Sequence, residues 1–189
     1  MTIMSGQFIH QTKDAGEETA VSVNVFREAM SRLSAPVVLV TTDGPLGRHG
    51  LTVSAICSVS ADPPTILVCL NRHNRSHAAF VRNGVVGISV MEPQHESLAL
   101  RFSSSALGQN EKFDGEHWCA EPGQAPVLAE ASVALTGRIV DNHAVGSHDI
   151  LICQIQAIKL STSEAAGLVW FDRGFHHMRS LKEPRDDVA

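Results

Sequence analysis

Residues 44–71 read GPLGRHGLTVSAICSVSADPPTILVCLN, and the fold turns on what this run does. Gly44, Gly47 and Gly50 recur every third residue, whereas a dinucleotide fingerprint is G-x-G-x-x-G opening a helix. The residues after Gly50 are strand-like, so a Rossmann site is excluded. Asp43-Gly44-Pro45 is ordinary turn chemistry, and the glycines read as a hairpin turn. The segment 51–59, LTVSAICSV, reads as one strand. Its alternation puts Thr52, Ser54, Ile56 and Ser58 on one face and Leu51, Val53, Ala55, Cys57 and Val59 on the other. Two readings of the hydroxylated face stay open. It can be a bed for a flat ligand, whose edge would reach backbone groups past small side chains. It can equally be a solvent-facing strand, where Thr and Ser are natural.

Outward from this run, β-branched segments bounded by Gly, Pro, Asn or Asp predict further strands at 36–42, 65–70, 85–90, 132–140, 149–160 and 167–171. Phe26, Ala29, Met30 and Leu33 form the apolar stripe of a short helix that Pro36 ends. Two more short helices are predicted over 76–82 and 94–102. Closely spaced strands with isolated helices argue for a mostly β fold, an antiparallel barrel rather than alternating βα units. The turn-rich segment 103–126 is long for a plain connection, and its Phe113 and Trp118 predict an ordered flap. One domain over 23–178 is expected, between flexible tails at 1–22 and 179–189.

The formal net charge of -5, with no long basic run, gives no footprint for nucleic acid or an anionic membrane surface. Apolar stretches are strand-sized and the N-terminal residues lack the pattern of a secretion signal, so a soluble, cytoplasmic protein is expected. Cys57, Cys69, Cys119 and Cys153 form no C-x-x-C and lie mostly among apolar residues, as buried reduced thiols do. The ten histidines show no zinc-type spacing, and His176 and His177 would diverge on a strand, so no metal is expected. Leu151, Cys153, Ile155 and Ala157 make an apolar face that predicts a partner surface and a two-fold homodimer.

Two junctions carry candidate chemistry. In NRHNRSHAAF (71–80) a strand leads into a helix with Asn71, Arg72, Asn74, Arg75 and Ser76 at the join. That is either an anion site or simple capping by Asn74 or Ser76. GSHD (146–149) cannot be a hydrolase triad, because adjacent residues cannot form the relay. His148 nonetheless precedes the most apolar strand, where a side chain can reach a site at the barrel rim.

Taken together, TTDGPLGRHGLTVSAICSVSADPPTILVCLNRHNRS, VGSHDILICQI and GLVWFDRGFHHM resemble the flavin reductase family, whose domain is an FMN-binding split barrel. The resemblance covers about residues 24–178 and is strongest to the small reductase components of two-component flavin monooxygenases, of the 4-hydroxyphenylacetate and pyrimidine-catabolism types. It implies a homodimer with flavin near the subunit interface. It also implies a flavin-edge segment at Thr52, Val53, Ser54 and Ala55, continued by Ser58, Val59 and Ser60. Asn71 and Ser76, with Arg72, are implied at the ribityl chain and phosphate, and His148 beside flavin and nicotinamide. Phe171, Arg173 and Phe175 are implied at the site's border. Val53 departs from the family, where alanine is commoner.

The resemblance further implies an NAD(P)H:flavin oxidoreductase. It would use FMN or FAD with NADH or NADPH, and supply reduced flavin to the large component of a flavin-dependent monooxygenase. The alternative is a split-barrel protein that binds flavin or haem without turnover.

Overall fold

A computed structural model describes residues 21–163 and 166–179. The expected tails lie outside these residues, apart from 21, 22 and 179. Seven strands form one antiparallel sheet: β2 (Val38–Thr42), β3 (His49–Val53), β4 (Ile56–Ala61), β5 (Pro64–Asn71), β6 (Val85–Val90), β9 (Val133–Val145) and β10 (His148–Leu160). Their spatial order is β3-β2-β6-β9-β10-β5-β4. A second sheet has the order β1-β11-β12, with β1 at Ala35–Pro36, β11 at Ala166–Phe171 and β12 at Gly174–Arg179. A two-stranded ribbon pairs β7 (Trp118–Cys119) with β8 (Val127–Leu128).

The large sheet begins and ends with strands that are consecutive in the chain, β3 and β4, separated only by Ser54 and Ala55. Laid flat, seven strands would hold their edges about 29 Å apart at roughly 4.8 Å per interval. A link of two residues spans no more than about 10 Å. The sheet therefore curls until its edges meet, which makes it a barrel. The β9–β10 hairpin inserts between β5 and β6, a Greek-key step.

The expected single strand over 51–59 is thus two strands at opposite edges of the sheet. Ser54 and Ala55 form the bend, and the predicted alternation does not run through it. Leu51 is buried in the barrel, whereas Cys57, Ser58 and Val59 on β4 are exposed. The glycine run is the β2–β3 hairpin, with Thr42 opposite His49 and Gly47 at φ 78°.

Two apolar layers share β2, which is buried along its whole length. Val38 and Val40 point into the barrel with Val68, Leu70, Phe80, Ile88, Leu151 and Cys153. Val37 and Leu39 point outward into a second layer with Met91, Leu98, Phe102, Phe113, Leu128 and Leu168. Covering on both faces explains the unbroken apolar run PVVLV. Leu151, Cys153 and Ile155, expected to need a partner surface, fill this chain's own interior, and Ala157 is exposed.

Among the described residues four α-helices lie outside the sheets, α1 (Val23–Ser31), α2 (His77–Asn83), α3 (Glu96–Ser103) and α4 (Gln109–Phe113), with a 3-10 turn at Pro93–His95 leading into α3. α1 has no buried residue; Phe26 and Met30 of the expected stripe are 55% and 42% exposed, and Leu33, which falls just past the helix end, is 59% exposed. It is tied instead to the β11–β12 turn, where Asp172 N–H donates to Ser31 O (2.7 Å) and Arg173 to Glu28 (2.6 Å). The guanidinium groups of Arg173 and Arg32 hold the Glu28 carboxyl below its usual range.

The cysteines do not all behave as buried thiols. Cys57 is exposed, while burial pushes the Cys153 thiol up to about 12. Alkylation of the native protein near pH 8 should therefore label Cys57 first and leave Cys153 untouched until denaturant is added. Peptide mapping by mass spectrometry checks this, and early labelling of Cys153 would contradict the closed barrel.

Candidate functional site

The outer face of β3 and the bend after it form the floor of a groove with two compartments. The first, about 200 Å³, is lined by Val37, Thr52, Val53, Ser54, Leu100, Ser103, Trp170 and Phe175. Its wall is aromatic, with Trp170 on β11 meeting Phe175 on β12 edge to face at 5.0 Å between centroids. The β11–β12 turn that brings them together has Asp172 and Arg173 at positive φ, 46° and 61°, as a tight two-residue hairpin requires.

The second compartment, about 280 Å³, shares Thr52 and Ser103 with the first. Most of its lining residues are polar: the loop His73–Ser76, Ser103–Ser105 at the end of α3, and Gln109 and Lys112 on α4, with Leu51 and Phe102 beside them. Thr52 joins the compartments structurally too, since its hydroxyl donates to Ala99 O (2.6 Å) and docks α3 on β3.

The expected flap is ordered and roofs this end of the groove. Phe102, Phe113 and Trp118 form a three-ring cluster with centroids 4.8 to 5.5 Å apart. Trp118 Nε1 donates to Phe113 O (2.9 Å), so the cluster has no orphaned polar group. Gly50 lets these rings close on β3: a Cβ there would stand 2.5 Å from Phe102 Cε1 and 3.1 Å from Phe113 Cζ.

Electrostatically the polar compartment is one-sided. Lys112 is 5% exposed, and its ammonium donates to Phe102 O (2.8 Å). Burial, and secondarily the charge of Arg75, pulls its pKa below the ordinary lysine value. Arg75 donates to the flap carbonyls of Ser105 and Leu107. Among the described residues neither cation has a carboxylate in salt-bridge reach. Two cations without an acid partner beside three serines give this compartment the donors that an anion would require.

The groove gathers Thr52, Val53, Ser54, Ser76 and Phe175 from the sequence-derived set. Ser76 is 2% exposed and its hydroxyl does not cap α2. It accepts from Gln109 Nε2 (3.1 Å) and lies 3.3 Å from His49 Nδ1. Ala55 sits at the bend, where its carbonyl accepts from Cys69 N–H (2.9 Å). Asn71 and His148 face each other in the β5–β10 register at the rim. Asn71 Oδ1 accepts from His73 N–H (2.9 Å), holding the loop.

Arg72 turns away from the compartments toward the carbonyl of Gly146 and the buried Asp149, whose carboxylate also meets His77 Nε2 at 2.8 Å. Ser58, Val59 and Ser60 lie exposed on β4, outside both linings. Phe171 packs its edge against His176 (5.7 Å), and Arg173 pairs with Glu28 on α1. Sequence reasoning missed Gln109, Lys112 and Leu100. Trp170 stood inside the quoted GLVWF without being singled out.

Residues 30–179 match the flavin reductase like domain. The chain belongs to the flavin reductase family. A flavin reductase relative, FMN reductase (NADH) RutF 2 of Methylorubrum extorquens PA1, is 47% identical over 170 residues, covering 90% of this chain and 96% of that protein. A solved structure of a candidate flavin reductase from Haemophilus somnus 129PT is 38% identical, with a TM-score of 0.79 over 84% of this chain and all of that one. The styrene monooxygenase flavin reductase of Pseudomonas putida S12, 22% identical, shares the fold at a TM-score of 0.73, over 82% of this chain and 97% of that one.

In this flavin reductase the flap's seating on β3 is directly testable. Gly50→Ala should destabilise by about 1–3 kcal/mol through overpacking, read as a lowered urea midpoint. An unchanged midpoint would mean the rings do not close on Gly50.

Proposed function

We propose that the protein is an NADH:FMN oxidoreductase whose reduced product leaves for a flavin-dependent monooxygenase. The observation that carries the reading is the pairing of an apolar, aromatic-walled compartment with a cation-lined one along a single strand. That is the polarity of a flavin mononucleotide, flat at one end and phosphorylated at the other, and the M. extorquens relative is named for FMN and NADH.

The donor set fits the molecule part by part. Thr52 to Ala55 offer backbone and small side chains as the ring's bed, with Trp170 and Phe175 as its wall. Arg75, Lys112 and Ser103–Ser105 meet the phosphate. Bound there, FMN supplies the hydride-accepting chemistry. The chain's share is positional: it holds the ring against the bed, excludes water on the aromatic side, and leaves the opposite side for the nicotinamide. His148, at the rim, serves the second reactant.

The pairing of reductase and monooxygenase is also that of the P. putida protein's name. A homodimer belongs to the reading, supported by the exposed apolar residues Phe26 and Met30 on α1 and Leu33 just beyond it.

Anaerobic stopped-flow mixing with FMN and NADH should bleach the flavin's long-wavelength band. No bleaching would favour a non-catalytic flavin or haem binder. Ser54→Leu should abolish FMN binding with the circular dichroism spectrum intact, because the side chain fills the bed. His148→Ala should cut turnover by about one to two powers of ten with FMN affinity little changed. Equal loss of both would place His148 on the flavin instead.

A further inference from the structure

We propose that Gln109 is a specificity-determining residue: it is the end wall that makes the polar compartment accept a terminal phosphate monoester and refuse one that continues into a second nucleotide. The inference rests on the reading of the groove as a flavin site.

β3 serves as a ruler along the groove. The apolar compartment touches it at Thr52 and Val53 and the bend at Ser54, the polar one at Leu51 and Thr52. At the next residue, Gly50, the backbone N–H donates to Gln109 Oε1 (2.9 Å). From Ser54 to Gly50 the extended chain covers about 13 Å, so the amide of Gln109 stands at the end opposite the aromatic wall.

The amide crosses the groove rather than pointing along it. While Oε1 accepts from β3, Nε2 donates to Ser76 Oγ (3.1 Å) on the facing loop. Both abutments are firm, for Ser76 and Gly50 are buried and the flap rings lie against Gly50. A side chain bonded at both ends costs two hydrogen bonds to displace.

Charge points the same way. A phosphate monoester brings about -1.5 to -2 charge and three acceptor oxygens, which Arg75 and Lys112 together match. A pyrophosphate would need a way onward for its second half, and on this side Lys112, 5% exposed, and the bridged Gln109 block it. Exclusion by a fixed wall is a means of discrimination that adds no attraction for the preferred ligand.

Equilibrium titrations with FMN, FAD and riboflavin test this on the full chain, on Gln109→Ala and on Gln109→Glu. The unaltered protein should prefer FMN to FAD. Gln109→Ala should narrow that preference about tenfold by raising FAD affinity. Gln109→Glu, of the same length but anionic beside the phosphate, should weaken FMN about tenfold and leave riboflavin unchanged. An FMN-to-FAD ratio that stays fixed in Gln109→Ala overturns the proposal, as does equal binding of both flavins by the unaltered protein. Should Gln109→Ala fail to fold, an unchanged FMN-to-riboflavin ratio in Gln109→Glu overturns it instead. Failure of the unaltered protein to bind any of the three would sink the flavin reading itself.

Discussion

The rest of the structure depends on a two-residue link. Ser54 and Ala55 join the outermost strands of a seven-stranded sheet, and so short a tether forces the sheet closed. Closure does two things at once. It buries the inward side chains of β2, β5, β6 and β10 as a core, and it leaves at the seam a bend with small side chains and accessible backbone. A regular strand would have consumed those backbone groups in ladder bonds. At the bend the carbonyls of Ser54 and Ala55 accept from Ile56 and Cys69 N–H, and the two N–H groups of the bend stay outside the ladder at the mouth of the groove, beside the aromatic wall of the second sheet.

A second dependence runs through the flap. Its rings pack because Gly50 has no side chain to keep them off β3, and that packing carries Gln109 and Lys112 into the polar compartment. With the cations buried or bonded to carbonyls rather than paired with acids, the compartment is positive in a chain whose formal net charge is -5. Specific placement, not overall charge, gathers the cations of this compartment. α1 takes no part in the core: its apolar stripe has the helical period but faces outward, and the Glu28–Arg173 contact and the Asp172–Ser31 backbone bond tie it to the β11–β12 turn.

Much of the fold was legible in the sequence because β-branched runs and turn residues bracket the strands, and Thr52, Val53 and Ser54, singled out by the motif-level resemblance, do line the groove. The break between β3 and β4 was not. Leu51 to Val59 alternates except at Ile56, and that single break is not enough to show that the chain turns a corner in its middle. Nor could the polar compartment be assembled from local pattern. Gln109 and Lys112 sit in a segment readable only as long and turn-rich, about thirty residues along the chain from Ser76, and only the packing of Phe102 and Phe113 on Gly50 brings them there. Arg72 and Arg75 look alike in sequence. The register of β5 against β10 sends one to the Gly146 turn and leaves the other at the groove.

In the proposed function one strand presents both ends of a flavin mononucleotide site, ring on the seam and phosphate under the flap. A crystal structure of the protein grown with FMN tests it most directly. The account predicts the isoalloxazine against Thr52 to Ala55 with Trp170 and Phe175 beside it, and phosphate oxygens within hydrogen-bonding distance of Arg75 and Lys112. Density for FMN elsewhere, or a phosphate pointing away from Lys112 into solvent, would contradict it.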